Sequence, residues 1–171
     1  MVDAFWADFL VDMLPKVHRF IRARFKAELA EDLASDTLVT LLQKQVSPPK
    51  DESELLQLRS LTYKIAARHI SNAEKKARRQ AKVLEQGMLR VTPGVDPTYE
   101  AVVPLDLAAA IAQLDFNDRQ AVNLMIAGFR TAEIAEILGI TAKAASMRLA
   151  RARERLSQRL AEGNEVDDVT A

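Results

Sequence analysis

The stretch Gly128-Phe129-Arg130-Thr131-Ala132-Glu133-Ile134-Ala135-Glu136-Ile137-Leu138-Gly139-Ile140-Thr141, continued by Ala142 to Arg151, constrains the chain more than any other. Thr131 stands where an N-cap would open a short helix, and Ile134, Ile137 and Leu138 recur at the three- and four-residue spacing of one helical face. Gly139 can take the left-handed conformation that ends a helix, and Thr141 is placed to cap the next one at once. The pattern predicts a helix-turn-helix whose second, basic helix is of the kind that enters a DNA major groove.

The faces of that second helix divide by chemistry. At about 100° per residue, Ala145, Leu149, Ala152 and Leu156 form one narrow apolar stripe. Lys143, Met147 and Arg151 lie roughly opposite, and Arg148 and Arg155 flank the stripe. Charges at this spacing also suit a solvated face of an ordinary bundle helix. The glycine turn, the alanines near the helix start and the arginines on the outer side favour DNA binding. The candidate contacts are Thr141, Lys143, Ser146, Met147, Arg148 and Arg151.

With 171 residues, 49% of them hydrophobic and only five glycines, the chain suits one domain or two small ones, mostly helical. The absence of cysteine excludes disulfides, thiolate catalysis and Cys-based metal sites. No apolar run approaches a membrane span, and Met1 to Asp8 lacks the basic-then-apolar order of a secretory signal. The expectation is a soluble, cytoplasmic protein.

A formal net charge of zero hides a segregation along the chain. Residues 59–90 and 121–163 carry an excess of Lys and Arg, whereas 1–58, 91–120 and the tail carry an excess of Asp and Glu. A protein that touches a polyanion at two places and a protein partner elsewhere would look like this, and so would solvated helix faces. Residues 91–104, with three prolines and a glycine, read as a linker between a domain at 1–90 and one at 105–162. The polar, acidic tail at 163–171 reads as disordered.

Four helices are expected in the N-terminal half. The first runs from Asp3 to Leu14, and the second starts at Pro15 and packs through Val17, Phe20, Ile21 and Phe25. The third, Glu28 to Gln45, turns Leu29, Leu33, Leu38, Leu41 and Leu42 inward and leaves Glu31, Asp32, Ser35, Asp36 and Thr40 outside. No histidine joins its carboxylates at ligand spacing, so the residues alone leave a solvated acidic surface as the plain reading. A loop at 46–51 precedes a long fourth helix capped by Ser53 and beginning near Glu54.

The stripe of that fourth helix changes chemistry midway. Leu58, Leu61 and Ile65 suit a core, while Arg68, Asn72, Lys76 and Arg79, with Lys75 close by, continue the same face as a cationic ridge. Such a ridge neutralises phosphates, and an Asn amide can bond a base edge. His18 and His69 have no partner at ligand spacing and read as structural or surface residues. No nucleophile, base and orienting group assemble, so neither catalytic residue nor metal nor cofactor is expected.

In this order the parts resemble the extracytoplasmic-function sigma factors of the sigma-70 family, and the resemblance covers most of the chain. Ala30 to Leu38 resembles the family's AEDLVQETF segment, which docks on the polymerase clamp. Leu58 to Arg68 resembles FRAWLLTIARN, with Leu61 where tryptophan is common, Ala67 where arginine is common and Asn72 where aspartate is common. Glu133 to Ile140 is nearly the family consensus, and Ser146 to Arg153 resembles KSRLHRAR.

The resemblance implies an all-α protein of two small helical domains, sigma-2 and sigma-4, acting as an RNA polymerase sigma factor without chemistry of its own. It implies core polymerase contacts at Asp32, Ser35 and Asp36. It implies −10 contacts at Arg68, Asn72, Lys75, Lys76 and Arg79. The residues themselves offer few aromatics near this ridge, with Tyr63 the nearest candidate for stacking, so melting is expected to depend more on a base pocket formed with the loop at 46–53. It implies −35 contacts on the last helix. Many relatives are held inactive by an anti-sigma factor, which joins core RNA polymerase and promoter DNA as an expected partner. A nucleoid association follows when polymerase is bound, and no membrane contact is expected. The alternative from the residues is a helix-turn-helix regulator with an N-terminal dimerisation or sensing bundle. Such a regulator would need a self-complementary apolar surface.

Overall fold

The computed structural model describes residues 2–84 and 105–167, and the side chains of 4–80 and 106–161. The described residues form seven helices and no strand, in two compact units divided between Thr92 and Pro93. The expected linker at 91–104 lies outside the described residues, as do the last four residues of the tail.

The first unit holds α1 (Val2–Arg22), α2 (Ala27–Gln43) and α3 (Glu52–Leu84), each packed against the other two. Phe9, Met13, Val17, Phe20 and Ile21 recur along one face of α1 and are buried, and each contributes roughly 1.5–3 kcal/mol. Ala30, Ala34, Leu38 and Leu41 of α2 and Leu58, Tyr63, Ile65, Ala66 and Ile70 of α3 are buried as well.

Several expectations are corrected here. Pro15 lies inside α1, so the first two expected helices are one. The hydrogen bond that a proline removes is the one to the carbonyl four residues back. Here that residue is Val11, which is 76% exposed, so water can serve the freed carbonyl. Leu29 and Leu42 are exposed rather than inward, because α2 approaches its neighbours through the small Ala30 and Ala34. Thr37 is buried beside them, its hydroxyl donating to the Leu33 carbonyl at 2.7 Å. Thr40, expected outside, is half-buried, with its Oγ1 3.4 Å from His69 Nε2 on α3.

The long α3 starts earlier than Ser53 would allow. Asp51 Oδ1 accepts from the Glu54 N–H at 2.8 Å, and Glu54 Oε2 accepts from the Lys50 N–H at 2.8 Å. Asp51 therefore caps the helix in place of Ser53.

The second unit holds α4 (Leu105–Ala112), α5 (Phe116–Ile126), α6 (Thr131–Leu138) and α7 (Ala142–Asp167). The long α7 packs against the other three. Ala108, Ile111, Leu114, Val122 and Ala152 make one buried cluster, with Leu107, Ile126 and Leu156 against it. Helix α7 continues through Gly163 to Asp167, helical where a disordered tail is expected.

Candidate nucleic-acid interface

Two glycines shape the turns that present α7. Gly128 ends α5 at φ 94°, with the Phe129 N–H donating to the Leu124 carbonyl at 3.1 Å and the Gly128 N–H to Met125 at 3.0 Å. Gly139 ends α6 at φ 65° and ψ 35°, with the Ile140 N–H donating to Ala135 at 2.9 Å. Both are Schellman closures, which need a left-handed residue. The start of α6 differs from expectation, since Thr131 is the first helical residue and Arg130 occupies the cap. Glu133 Oε2 accepts from the Arg130 N–H at 2.7 Å, so the carboxylate three residues into the helix closes its start. Thr141 caps α7 as its sequence position suggests, its Oγ1 accepting from the Ala144 N–H at 3.1 Å.

Ala145, Leu149 and Ala152 are buried and Leu156 is partly buried, which makes the expected stripe the packing seam of α7. On the other arc Thr141, Lys143, Ser146 and Met147 are exposed, Met147 to 52%, and Arg148 is half-buried at the edge. Arg151 is differently situated. Its Nη2 donates to Asp118 Oδ1 at 3.0 Å, and Asp118 is fully buried on α5.

Asp118 belongs to a network that sequence reading missed. Arg155 Nη1 lies 2.6 Å from Asp115 Oδ2 and 3.3 Å from Asp118 Oδ2, and Asp115 Oδ1 caps α5 by accepting from the Asp118 N–H at 3.1 Å. Arg159 adds a hydrogen bond from α7 to Gln113. Burial opposes ionisation of Asp115, but the Asp118 N–H and the Arg155 guanidinium outweigh it and hold the carboxyl below its usual value. The Asp115-x-x-Asp118 spacing at a helix start was a readable capping signal. Its pairing with arginines more than thirty residues away had no local signature.

In the first unit, Asp32, Ser35 and Asp36 are all exposed on α2, interleaved with the exposed Leu29 and Val39. The arc is therefore mixed, acidic and apolar together, opposite the face that buries Ala30, Ala34 and Leu41. Along α3, Arg68, Asn72, Lys75, Lys76 and Arg79 are all exposed, so the sequence-derived ridge lies at the surface. Within it Glu74 accepts from Arg24 Nε of the α1–α2 turn at 2.6 Å, tying the ridge to the bundle.

Tyr63 is not available to stack on a base. It is buried edge-on against Phe20 with ring centroids 5.4 Å apart, and burial pushes its phenol up to about 12 against the opposing pull of Arg19 and Arg59. Among the described residues no group of three His, Asp or Glu side chains converges as a metal site, and no helix is long and apolar enough to cross a membrane.

The geometry has relatives among known proteins. Residues 105–156 match the family model described as Sigma-70, region 4. The chain also resembles a solved structure, the sigma factor RpoE in complex with the anti-sigma factor NepR from Bartonella quintana. The TM-score is 0.69 at 23% identity, over 90% of this chain and 95% of that one. No curated protein matches the chain.

Proposed function

We propose that this chain is an extracytoplasmic-function sigma factor of the sigma-70 family, which binds core RNA polymerase and directs it to promoters. The observation that carries the reading is the Sigma-70 region 4 match over a helix-turn-helix whose last helix exposes Lys143, Ser146 and Met147. A helix so capped and so buried on one side is a rigid bar, and its free arc suits the major groove of a −35 element. Thr141, Lys143, Ser146, Met147 and Arg148 are the proposed contacts there, and Arg151, held by Asp118, is not among them.

The exposed arc of Asp32, Ser35 and Asp36, with Leu29 and Val39 between them, supports a protein interface and is the proposed docking site for core polymerase. The α3 ridge of Arg68, Asn72, Lys75, Lys76 and Arg79 is the proposed −10 surface. With Tyr63 buried, this ridge and the loop at 46–53 are the proposed holders of the melted bases. The proposed role carries no catalysis: the chain contributes positioning, and bond formation belongs to the polymerase. An anti-sigma partner, as in the Bartonella quintana complex, and nucleoid association through polymerase belong to the same proposal.

The test is capture of genomic DNA fragments by the chain assembled with core polymerase, compared with core alone. Enrichment of fragments sharing two separated elements upstream of start sites supports the role. Equal recovery by core alone contradicts it.

A further inference from the structure

Asp118 is the one fully buried carboxylate among the described residues, and its two oxygens face two arginines one turn apart on α7. Those arginines are about half exposed, with side-chain accessibilities of 51% for Arg151 and 47% for Arg155. The arrangement is lopsided, because the cations reach water and the anion does not. A buried carboxylate stays only when paired, so Asp118 holds its partners in place rather than following them. Arg151, one turn beyond Met147 on the exposed arc, is thereby drawn back toward α5.

Charge on such an arc has two consequences for a polyanion. Each free cation that meets a phosphate raises affinity for every sequence alike, because the gain comes from counterion release. Base discrimination depends on the side chains that reach base edges, so additional free charge raises the background without raising the discrimination. A carboxylate that occupies Arg151 removes one sequence-blind contact and leaves Lys143, Ser146, Met147 and Arg148 to meet the groove. Resting on the reading of α7 as the DNA-contacting helix, we infer that Asp118 is a specificity-determining residue: it withholds Arg151 from the DNA backbone and so sharpens promoter choice.

The experiment uses the full chain, alone and assembled with core polymerase. The probes are a short random-sequence duplex and a fragment selected by the wild-type protein. Asp118→Asn, close in shape to the parent side chain, is expected to free Arg151 for a phosphate. The log–log salt slope on the random duplex then steepens by about 0.9, so the variant loses roughly three- to fourfold more affinity than wild type between 50 and 200 mM salt. Preference for the selected fragment over the random duplex falls. In Asp118→Asn with Arg151→Gln the slope returns to the wild-type value.

Arg151→Gln alone keeps the wild-type preference at every base pair of the selected fragment. This arm is independent of how Asp118→Asn folds. A slope in Asp118→Asn equal to wild type, at unchanged helix content, overturns the inference, as does loss of preference at one base pair in Arg151→Gln. Failure of the wild-type chain to bind either duplex in both forms overturns the reading of α7, and this inference with it.

Discussion

Replacing Gly139 by alanine isolates the backbone cost of the turn that aims α7. The residue sits at φ 65° and ψ 35°, and a Cβ added there would meet no heavy atom within 4 Å. Steric collision therefore adds nothing, and the cost is that of holding an L-residue in the left-handed region, roughly 1–2 kcal/mol. Alanine also stiffens the unfolded chain, which returns about 0.4–1 kcal/mol. The net loss is about 1 kcal/mol, which raises the open population of the unit roughly fivefold. Native-state hydrogen exchange at the amides of α6 and α7 reads this unit, while fluorescence of Trp6, the chain's one tryptophan, reads the first. Gly139→Asn loses less than Gly139→Ala, since asparagine visits the left-handed region more readily. A loss above about 3 kcal/mol would reveal packing against the added methyl group, and a gain in stability would show that the turn is not left-handed. Either refutes the reasoning.

Asp32→Arg with Asp36→Arg leaves helicity intact and abolishes co-purification with core polymerase, because exposed charge reversals spare folding and oppose a complementary partner; undiminished co-purification refutes the docking surface. Lys75→Ala with Lys76→Ala weakens open-complex formation and lowers its salt slope by about 0.9 for each phosphate that is no longer neutralised, measured by permanganate reactivity over a salt series. Arg148→Ala costs about 1–3 kcal/mol at the cognate −35 element and flattens preference at one base pair if its fork reads a base, whereas Lys143→Ala weakens all single-base variants alike. Tyr63 gives an alkaline signature: the unfolded phenol ionises near 10.0 and the folded one near 12, so its contribution is intact below pH 10 and is lost as pH rises to about 12. The effect is roughly 2–3 kcal/mol at 1.36 kcal/mol per unit, and Tyr63→Phe flattens that part of the urea-unfolding pH profile.

Legibility in the sequence followed the range of the interaction. The turn between α6 and α7 is written within a few residues, since Gly139 and Thr141 each act on backbone groups three or four positions away. The ridge from Arg68 to Arg79 was equally readable, because helical periodicity alone places those residues together. Pro15 misled because the cost of a proline depends on whether the freed carbonyl reaches water, and that depends on which face of α1 the bundle covers. Leu29 and Leu42 misled for a related reason: hydrophobicity does not say which of two apolar arcs a helix buries when alanines allow the closer approach. Asp118 was invisible because its partners, Arg151 and Arg155, come near it only once α5 lies along α7.

The most direct measurement is run-off transcription with purified core polymerase, with and without this chain, on fragments selected by the assembled complex. The account predicts transcripts from defined start sites that require the chain. It also predicts that these transcripts vanish in Asp32→Arg with Asp36→Arg, a pair chosen to break docking while leaving the helix-turn-helix untouched. Transcripts equal to those of core polymerase alone, with the chain binding the same fragments by itself as a dimer, would contradict it and point to an ordinary helix-turn-helix regulator.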